Sequence, residues 1–576
     1  MNKVSKPLYS SSTLCFYAVI LAGLLLRLVY LFSYSANVCA DEALIGLNSK
    51  YIYSLGELPI FIPEQARAGI TLGYFSGLLI YLFGPSAFAI KIFPILMSLL
   101  YCSGIFLLAR KIGNNRFAWY ALLLSIFCPA FMTSWIVNGS DQYITCMTLG
   151  VYLLLLTLHI SQQQDIIHQK KNNRHRLRAF TAECLLGVLT GLSIWVQQLS
   201  LTFIIPSMLL MFCTLPIKKL LQKTPLVLFG CLLGLFPLLY FNLSPSARAL
   251  NGLEGSPNWI TFSFLFQAGD HSDGIITSLC QLPSTLINIA TISMPMLWGG
   301  FEWMFETSFV RKFSYTMVAI VLGGGIFNFI YFRLKTAAFQ RRFPFWVWKN
   351  NDIPLFSFII MLLIFSLSRF KYDLIEPRYL FPLYFSITLM VSWSLSGWED
   401  KLKNSGKIAL ILLIISSITT TILPSTTLDP DHTLWPRDKE LTKYLLDNNI
   451  KHPIAGFWVA YPLAYDSDEK IWPIPILLER FHYFVLKHKW PINIVEPYYI
   501  FPNHRFTKEL AEYIFPTDDA PYWDSDDFLN FLQEAGITNQ YYNKISFTNY
   551  DLFRVSPEKI NPLRFVVSPN YLKGQK

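Results

Sequence analysis

Two adjacent carboxylates, Asp41 and Glu42, follow the first long apolar run of the chain, residues 14–34, by a few positions. Residues 43–55 have the apolar spacing of a helix that lies along a membrane surface. Carboxylates at such a point cap the helix and interact favourably with its positive end. A carboxylate fixed at a membrane–water boundary can also accept a proton from a hydroxyl group as a general base. Asp41 and Glu42 are therefore the candidate catalytic residues, although capping is the simpler role for an isolated acidic pair.

A later segment, residues 368–380, combines cations with aromatic side chains. Arg369, Lys371 and Arg378 lie close together in sequence there, and Tyr379 follows directly. A guanidinium group binds phosphate through two parallel hydrogen bonds, so this segment can hold an anionic group. The alternative is a solvated loop whose basic and aromatic residues only anchor it at the interface.

Asp141 ends the segment TSWIVNGSD and begins another apolar run. It either supports a bound sugar or the base, or it caps the helix that follows. We place Asp141 with Tyr379 as candidates for a sugar or acceptor pocket.

The elements that must position these residues cross a membrane. Of 576 residues, 53% are hydrophobic and only 15% are charged, which excludes an ordinary water-soluble enzyme. Many apolar runs approach the roughly 20 residues that a helix needs to span the hydrocarbon, and their continuity argues against a barrel. We predict about eleven spanning helices, near residues 14–34, 87–109, 117–136, 142–160, 179–196, 199–216, 225–243, 313–332, 353–368, 378–397 and 407–423.

The basic residues indicate how these helices are oriented. A net charge of +10 would favour nucleic acid binding in a soluble protein, but here the cations fall in alternate loops. The positive-inside rule then places the N-terminus in the cytoplasm, and the first external loop and the segment after residue 423 outside. We expect no nucleic acid partner, and a multi-pass protein of a bacterial cytoplasmic membrane whose first span is an uncleaved anchor.

Two domains follow from this pattern. Residues 1–423 form an all-α membrane domain, and the polar residues 424–576 form an extracytoplasmic α/β domain. In the second domain we predict helices at 438–449 and 525–535 and strands at 454–465 and 550–555. Two further apolar stretches, 70–84 and 276–300, are predicted to be re-entrant or surface segments, because counting 70–84 as a span would contradict the charge rule.

The first external loop resembles that of bacterial lipid-carrier-dependent glycosyltransferases. These have the C-type glycosyltransferase fold, together with the protein O-mannosyltransferases and the aminoarabinose transferases. The resemblance covers most of the membrane part. It is carried by Asp41-Glu42-Ala43, a short amphipathic helix, Gly56, Arg67, Leu82-Phe83-Gly84, Lys91, Asp141 and Arg378-Tyr379-Leu380.

The resemblance implies roles for single residues. The aspartate of the acidic pair is the catalytic base in that family, and Asp41 holds its position. Arg67 and Lys91 hold the positions of cations that serve the donor phosphate. The chain departs from the family in having Arg67-Ala68-Gly69 where Lys-Pro-Pro or Gly-Gly sequences are frequent, and in having Lys91 where arginine is usual. Acceptor specificity is therefore not carried over.

The chemistry of such a transfer fits these charges. A sugar leaves its polyprenyl phosphate through an oxocarbenium-like transition state while the acceptor hydroxyl loses a proton. Asp41 would take that proton, and the cations Arg67, Lys91, Arg369, Lys371 and Arg378 would stabilise the phosphate. Direct attack predicts inversion at the anomeric carbon. The expected partners are membrane lipids, the lipid-linked donor and an acceptor that is a lipid, glycan or protein.

No cofactor follows from the residues, and dependence on a divalent metal is left open because family members differ in it. Three alternatives also stay open. The chain could be a transporter or flippase of lipid-linked sugars, since outer-face cations would suit an anionic lipid. It could be an oligosaccharide ligase, which is the nearest enzyme class. It could also be a non-catalytic envelope assembly protein.

Overall fold

The computed structural model describes residues 11–62, 65–139, 141–162, 173–249, 275–298, 309–339, 350–368, 371, 377–422, 438–476, 497–503 and 524–559. Its membrane part begins with helices α1 (Ser11–Tyr34), α2 (Ala40–Ser54), α3 (Thr71–Phe83), α4 (Ala87–Ile112), α5 (Asn115–Ile126), α6 (Ala130–Val137) and α7 (Gln142–Gln162). A short antiparallel hairpin of β1 (Phe61–Ile62) and β2 (Gln65–Gly69) separates α2 from α3.

The remaining helices of the membrane part differ widely in length. The longer ones are Asn173–Val196, Leu201–Thr214, Ile217–Gly234, Phe309–Phe339, Ile353–Leu367, Phe381–Lys401 and Ser405–Ile422. The shorter ones are Phe236–Leu243, Pro245–Ala249, Ile275–Cys280, Leu282–Asn288 and Met294–Leu297.

Every predicted span falls on a helix or on a bent pair of helices. By length and composition, seven helices among the described residues can cross a membrane, or up to nine if each of two bent pairs is one span. The other two predicted spans, 179–196 and 199–216, fall on shorter apolar helices. The stretch predicted not to span at 70–84 is α3, whose 13 residues reach only about 20 Å. The chain is therefore a multi-pass membrane protein.

Helices α5 and α6 form one of the bent pairs, with an angle of 67° between them. A break of this kind leaves the carbonyl groups at the end of α5 without helical partners. The buried Arg27 of α1 supplies donors there: Nη1 donates to the carbonyl of Ile126 at 3.2 Å and Nη2 to that of Ser125 at 3.5 Å. This charged residue inside an apolar run is therefore a helix cap.

The C-terminal domain has the predicted α/β architecture. Within its described residues, the strands are β3 (Ile454–Ala455), β4 (Ile474–Pro475), β5 (Tyr498–Pro502), β6 (Tyr542–Ser546) and β7 (Tyr550–Val555), in the order β4-β3-β5-β7-β6. The first three are parallel, and β7 pairs antiparallel with β5 and β6. Helix Ser525–Glu534 packs on one face of the sheet, while helices Lys439–Asp447 and Phe457–Asp466 pack on the other. The predicted boundary at 423/424 adjoins residues 423–437, which lie outside the described part.

The strand predicted at 454–465 is wrong beyond its first two residues. Strand β3 ends at Ala455, and Phe457–Asp466 forms a helix, which we call the docking helix. One side of this helix faces the sheet of its own domain, and the other faces α2. Because both sides are buried, the segment is apolar throughout and lacks the helical periodicity that would have identified it.

The helix predicted at 43–55 is confirmed as α2, which begins at Ala40. It does not present one exposed face along its length. Most of its residues are buried, because α3, α4 and the docking helix surround it. Helix α2, which carries the acidic pair, thus lies at the junction of the two domains.

Candidate active site

The first turn of α2 holds both carboxylates of the acidic pair. The backbone N–H of Cys39, which precedes the helix, donates to Oε2 of Glu42 at 2.9 Å. Glu42 therefore caps α2, as its position in the sequence predicts. Asp41 lies in the same turn and is only half-buried. The two neighbours differ in access: Glu42 faces the interior, and Asp41 retains exposed surface.

Glu42 forms a fully buried ion pair with Lys91 of α4. Oε1 of Glu42 lies 3.1 Å from Nζ of Lys91, and both side chains have 0% exposure. Lys91 also donates to the carbonyls of Ser35 and Asn37, each at 2.9 Å. Burying two charges is costly unless they are paired and hydrogen-bonded, and this group meets both conditions. It ties the start of α2 to α4 and to the segment after α1.

The loop after α6 completes the environment of Glu42. The backbone N–H of Gly139 donates to Oε1 of Glu42 at 2.6 Å. A Cβ at Gly139 would lie 2.8 Å from Cγ2 of Ile90 and 2.9 Å from Cγ of Glu42. Only glycine therefore lets this backbone approach the carboxylate so closely.

Asp141 lies two residues further along the same loop and is 1% exposed. Thr71 at the start of α3 donates to its Oδ2 at 2.7 Å, and Thr145 of α7 donates to the same oxygen at 3.1 Å. Burial raises the pKa of Asp141 to about 7, although the hydrogen bonds from the two threonines lower it. Asp141 therefore joins α3 to α7 and is balanced between its neutral and charged forms near neutral pH.

Arg378 and Tyr379 belong to an aromatic cluster with Trp135 and Tyr143. The Arg378 guanidinium carbon lies 5.5 Å from the ring centre of Trp135 and 5.2 Å from that of Tyr379. Tyr143 contacts Tyr379 edge to face at 6.2 Å and Trp135 at 5.9 Å. Arg378 and Trp135 are half-buried, so this group has a surface that a ligand can reach.

Two amide side chains beside Asp141 add hydrogen-bonding capacity. Asn138 and Gln142 are 4% and 8% exposed. Within the described residues, neither Oδ1 of Asn138 nor Oε1 of Gln142 accepts a hydrogen bond. Buried acceptors normally have a donor, so these oxygens indicate a place for water or for ligand hydroxyl groups.

The predicted cations are only partly brought together. The backbone of Arg67 lies in β2, while its side chain and all of Arg369 fall outside the described part. Lys371 is buried, and its Nζ donates to Oγ of Ser278 at 3.1 Å and to Oε1 of Gln281 at 2.7 Å. Lys91 forms the buried ion pair with Glu42. Arg378 is the predicted cation that the described structure combines with Asp141 and Tyr379 in one region, since Trp135 and Tyr143 flank the loop of Asp141.

Glu42 and Lys91 were predicted as catalytic and phosphate-binding residues. In this structure neither side chain has exposed surface with which to contact a substrate, and their geometry favours support of α2. Sequence reasoning missed Gly139, Gln142, Tyr143 and Thr71. Their neighbourhood to the candidate residues is visible only in three dimensions, where Gly139 contacts Glu42 of α2 and Asp141 contacts Thr71 of α3.

A divalent metal would need several oxygen or nitrogen ligands in one place. Among the residues that the structure describes, no three His, Cys, Asp or Glu side chains are grouped to hold one. Glu42 and Asp141 already accept hydrogen bonds from protein donors. These two carboxylates therefore do not fit a metal centre.

No family model and no curated protein matches this chain. Solved structures match this chain in their fold. ArnT from Cupriavidus metallidurans bound to undecaprenyl phosphate matches with a TM-score of 0.54 and 11% identity, over 97% of this chain and 99% of that chain. Its apo state gives 0.51 and 12%, over 97% and 100%.

An archaeal oligosaccharyltransferase, AglB from Archaeoglobus fulgidus in complex with an inhibitory peptide and a dolichol-phosphate, also matches. Its TM-score is 0.50 with 13% identity, over 85% of this chain and 69% of that chain. Identities this low carry information about the fold alone. The chain therefore has the C-type glycosyltransferase fold that its sequence resemblance predicted.

Proposed function

We propose that this chain is an inverting glycosyltransferase that moves a sugar from a polyprenyl-phosphate carrier to a hydroxyl group of a lipid, glycan or protein. The residues of the first external loop and the fold both support this proposal. So do the lipid phosphates named with the structural neighbours, undecaprenyl phosphate with ArnT and dolichol-phosphate with AglB.

The observation that carries the proposal is the fixed first turn of α2. Glu42 is neutralised by Lys91 and held by two backbone N–H groups, so its orientation is determined. The half-buried Asp41 is its neighbour in the chain and shares this fixed backbone. A general base must be held within hydrogen-bonding reach of the hydroxyl it serves, and a fixed helix start provides that precision.

The proposed reaction is a single displacement. The acceptor oxygen attacks the anomeric carbon and its proton passes to the Asp41 carboxylate. At the same time the bond between the anomeric carbon and the phosphate oxygen breaks, and its electron pair stays with the polyprenyl phosphate. Attack opposite to the leaving group inverts the configuration at the anomeric carbon.

Cations are needed where negative charge grows on the departing phosphate. Arg378 suits this role because it is half-buried and presents a planar guanidinium group. Arg67 and Arg369 remain predicted contributors. We assign Lys91 to the support of Glu42, and Lys371 to the contact with Ser278 and Gln281.

The sugar pocket of this proposal is the region around Asp141. Asn138 and Gln142 offer acceptor oxygens to sugar hydroxyl groups, and the aromatic cluster offers a ring face on which a sugar can pack. Tyr379 and Asp141 keep the predicted pocket role. We further propose that this region opens to the outer face of a bacterial cytoplasmic membrane, as the distribution of basic loops favours.

Reconstitution separates this proposal from transport. Purified protein would be placed in liposomes with total lipid extract from the source cells, and lipids would be analysed by mass spectrometry. The proposal predicts a new glycosidic bond and an equal amount of released polyprenyl phosphate. Movement of lipid-linked sugar between leaflets without a new glycosidic bond would overturn it in favour of a transporter.

A further inference from the structure

We propose that Tyr465 of the C-terminal domain is a positioning residue that fixes α2, and through it the Asp41 carboxylate, in the arrangement that transfer requires. The catalytic consequence rests on the proposed function. The physical link between Tyr465 and α2 rests only on their packing and on the hydrogen bonds of the Tyr465 hydroxyl.

One stripe of α2 connects the membrane part with the C-terminal domain. Glu42, Gly46 and Lys50 are spaced by four residues, so they follow one another along the same side of the helix. Glu42 pairs with Lys91 of the membrane part. Gly46 faces Tyr465, and Lys50 binds Asp468 and Glu469. Tyr465, Asp468 and Glu469 all belong to the C-terminal domain. The side of α2 that fixes Glu42 is thus also the side on which the C-terminal domain rests.

The ring of Tyr465 packs directly on the backbone of α2. A Cβ at Gly46 would lie 2.5 Å from Cε2 of Tyr465 and 2.9 Å from Cδ1 of Ile90. The absence of a side chain at Gly46 therefore makes room for the ring, which is 2% exposed. The same apolar cluster includes other residues of the docking helix and of α2, namely Phe457, Tyr461, Ala464, Ala43, Leu47 and Tyr51.

The hydroxyl group of Tyr465 reaches the start of α4. It accepts a hydrogen bond from the N–H of Ser86 at 2.9 Å and donates to the Ser86 carbonyl at 3.1 Å. Ser86 caps α4, since its Oγ accepts from the N–H of Ala89 at 3.2 Å. Lys91, the partner of Glu42, lies in the second turn of this helix. Tyr465 therefore holds both helices that carry the buried ion pair.

Ionic contacts surround this apolar junction. Nζ of Lys50 lies 2.7 Å from Asp468 and 2.8 Å from Glu469, and the Tyr51 hydroxyl donates to Glu469 at 2.8 Å. Asp468 and Glu469 have φ angles of 51° and 64°, in the left-handed region that non-glycine residues disfavour. The turn at Asp468 and Glu469 thus adopts this disfavoured conformation at the point where both carboxylates pair with Lys50.

The position of α2 depends on such contacts. The helix has 15 residues, and a helix of about that length is only marginally stable alone in water. Its orientation must therefore come from the elements packed around it. The docking helix supplies one of these surfaces, so loosening it should loosen the first turn that carries Asp41.

Hydrogen exchange tests the link directly. Purified protein carrying Tyr465→Ala would be compared with Tyr444→Ala, a similar truncation in the same domain. Among the described residues, the ring of Tyr444 contacts Phe547 and lies outside the apolar cluster that contains α2. We expect amides of residues 43–51 to exchange about tenfold faster in Tyr465→Ala, because local opening becomes easier. Exchange in α7 should stay unchanged, as should α2 in Tyr444→Ala. Unchanged exchange of α2 in Tyr465→Ala would overturn the proposal.

Two milder variants cover the case in which Tyr465→Ala does not fold. Tyr465→Phe keeps the ring and loses only the two bonds to Ser86, so exchange near residues 43–47 and 87–91 should rise about threefold. Gly46→Ala displaces the ring and should speed exchange of α2 by about tenfold. If α2 remains as protected as in the wild type in both variants, Tyr465 does not position it.

Activity provides the second readout. The amount of glycosylated product per molecule of protein should fall at least about tenfold in Tyr465→Ala and less in Tyr465→Phe. Binding of undecaprenyl phosphate, used as the probe, should not change. A merely structural role would lower protein amount and leave product per molecule constant, which would overturn the catalytic part. Faster α2 exchange in an enzyme whose Asp41→Asn variant stays active would reject the proposed function and leave the positioning link intact.

Discussion

At the scale of single residues, two adjacent carboxylates have different surroundings. Glu42 is buried, pairs with Lys91 and accepts hydrogen bonds from the N–H groups of Cys39 and Gly139. Asp41 in the same turn is half-buried. The sequence predicts the pair and its place at a helix start. It does not distinguish the two roles, because Gly139 and Lys91 approach from other parts of the chain. Lys91 is predicted to bind phosphate because it holds the position of a phosphate-binding cation in the family that the first external loop resembles.

The ion pair provides the first prediction. Glu42→Gln leaves the Lys91 charge buried with weaker partners, so we expect a loss of about 3 kcal/mol in the free energy of unfolding. Lys91→Met leaves the Glu42 carboxylate buried without its cation, so we expect a similar loss in the free energy of unfolding. Thermal unfolding in detergent measures both. The double variant should lose clearly less than the sum of the single losses, and simple additivity would show that the two side chains do not act as a pair.

Asp141 provides a prediction about pH. Burial raises the pKa of this carboxyl to about 7, so the folded protein keeps its proton at pH values where the unfolded chain has lost it. Stability from this group is present at low pH and declines as pH rises towards about 7, by up to about 1.4 kcal/mol per pH unit. The comparison is wild type against Asp141→Asn, by unfolding between pH 5 and 8. The difference should change up to pH 7 and then level off, whereas parallel curves would contradict this assignment.

At the scale of elements, apolar length determines most of what the sequence predicts. All eleven predicted spans fall on helices, because a run of apolar residues that crosses a membrane has little choice of structure. The docking helix is not predicted from the sequence, because its apolar run is too short to indicate a helix by length. It is short and covered on both sides, so its composition resembles that of a buried strand.

The break between α5 and α6 gives a prediction at this scale. Arg27→Met removes the donors to the carbonyls of Ser125 and Ile126, which have no water to replace them in a membrane. We expect the free energy of unfolding to fall by about 2 kcal/mol. Arg27→Lys, which keeps the charge but not the planar fork, should recover part of the loss. A thermal transition that is unchanged in Arg27→Met would contradict the capping role.

At the scale of the whole molecule, the sequence predicts two domains and their types but not their contact. The contact depends on Gly46, on Tyr465 and on the turn at Asp468 and Glu469, whose φ angles are positive. Nothing in the sequence around these residues indicates that they form an interface. Only the three-dimensional packing of α2 between the domains links the acidic pair with residues more than 400 positions later, such as Glu469.

Orientation can be tested on the whole molecule. Asp447 is exposed in the C-terminal domain, and Lys401 is exposed at the end of helix Phe381–Lys401. In a background with Cys280→Ser, Asp447→Cys should react with a membrane-impermeant maleimide in intact cells, because the domain is proposed to lie outside. Lys401→Cys should react only after permeabilisation. The reverse pattern would place the site on the cytoplasmic face.

Asp41 is proposed to accept the proton of the acceptor hydroxyl during transfer. The most direct test is mass spectrometry of envelope glycans and lipid-linked sugars in cells whose only copy carries Asp41→Asn. Asp447→Asn serves as a control for the same chemical change at an exposed carboxylate of the C-terminal domain. With normal protein amounts, we predict that product falls at least about a hundredfold in Asp41→Asn and that the lipid-linked donor accumulates, while the control matches wild type. Wild-type amounts of product from Asp41→Asn would contradict the role of Asp41 as the base.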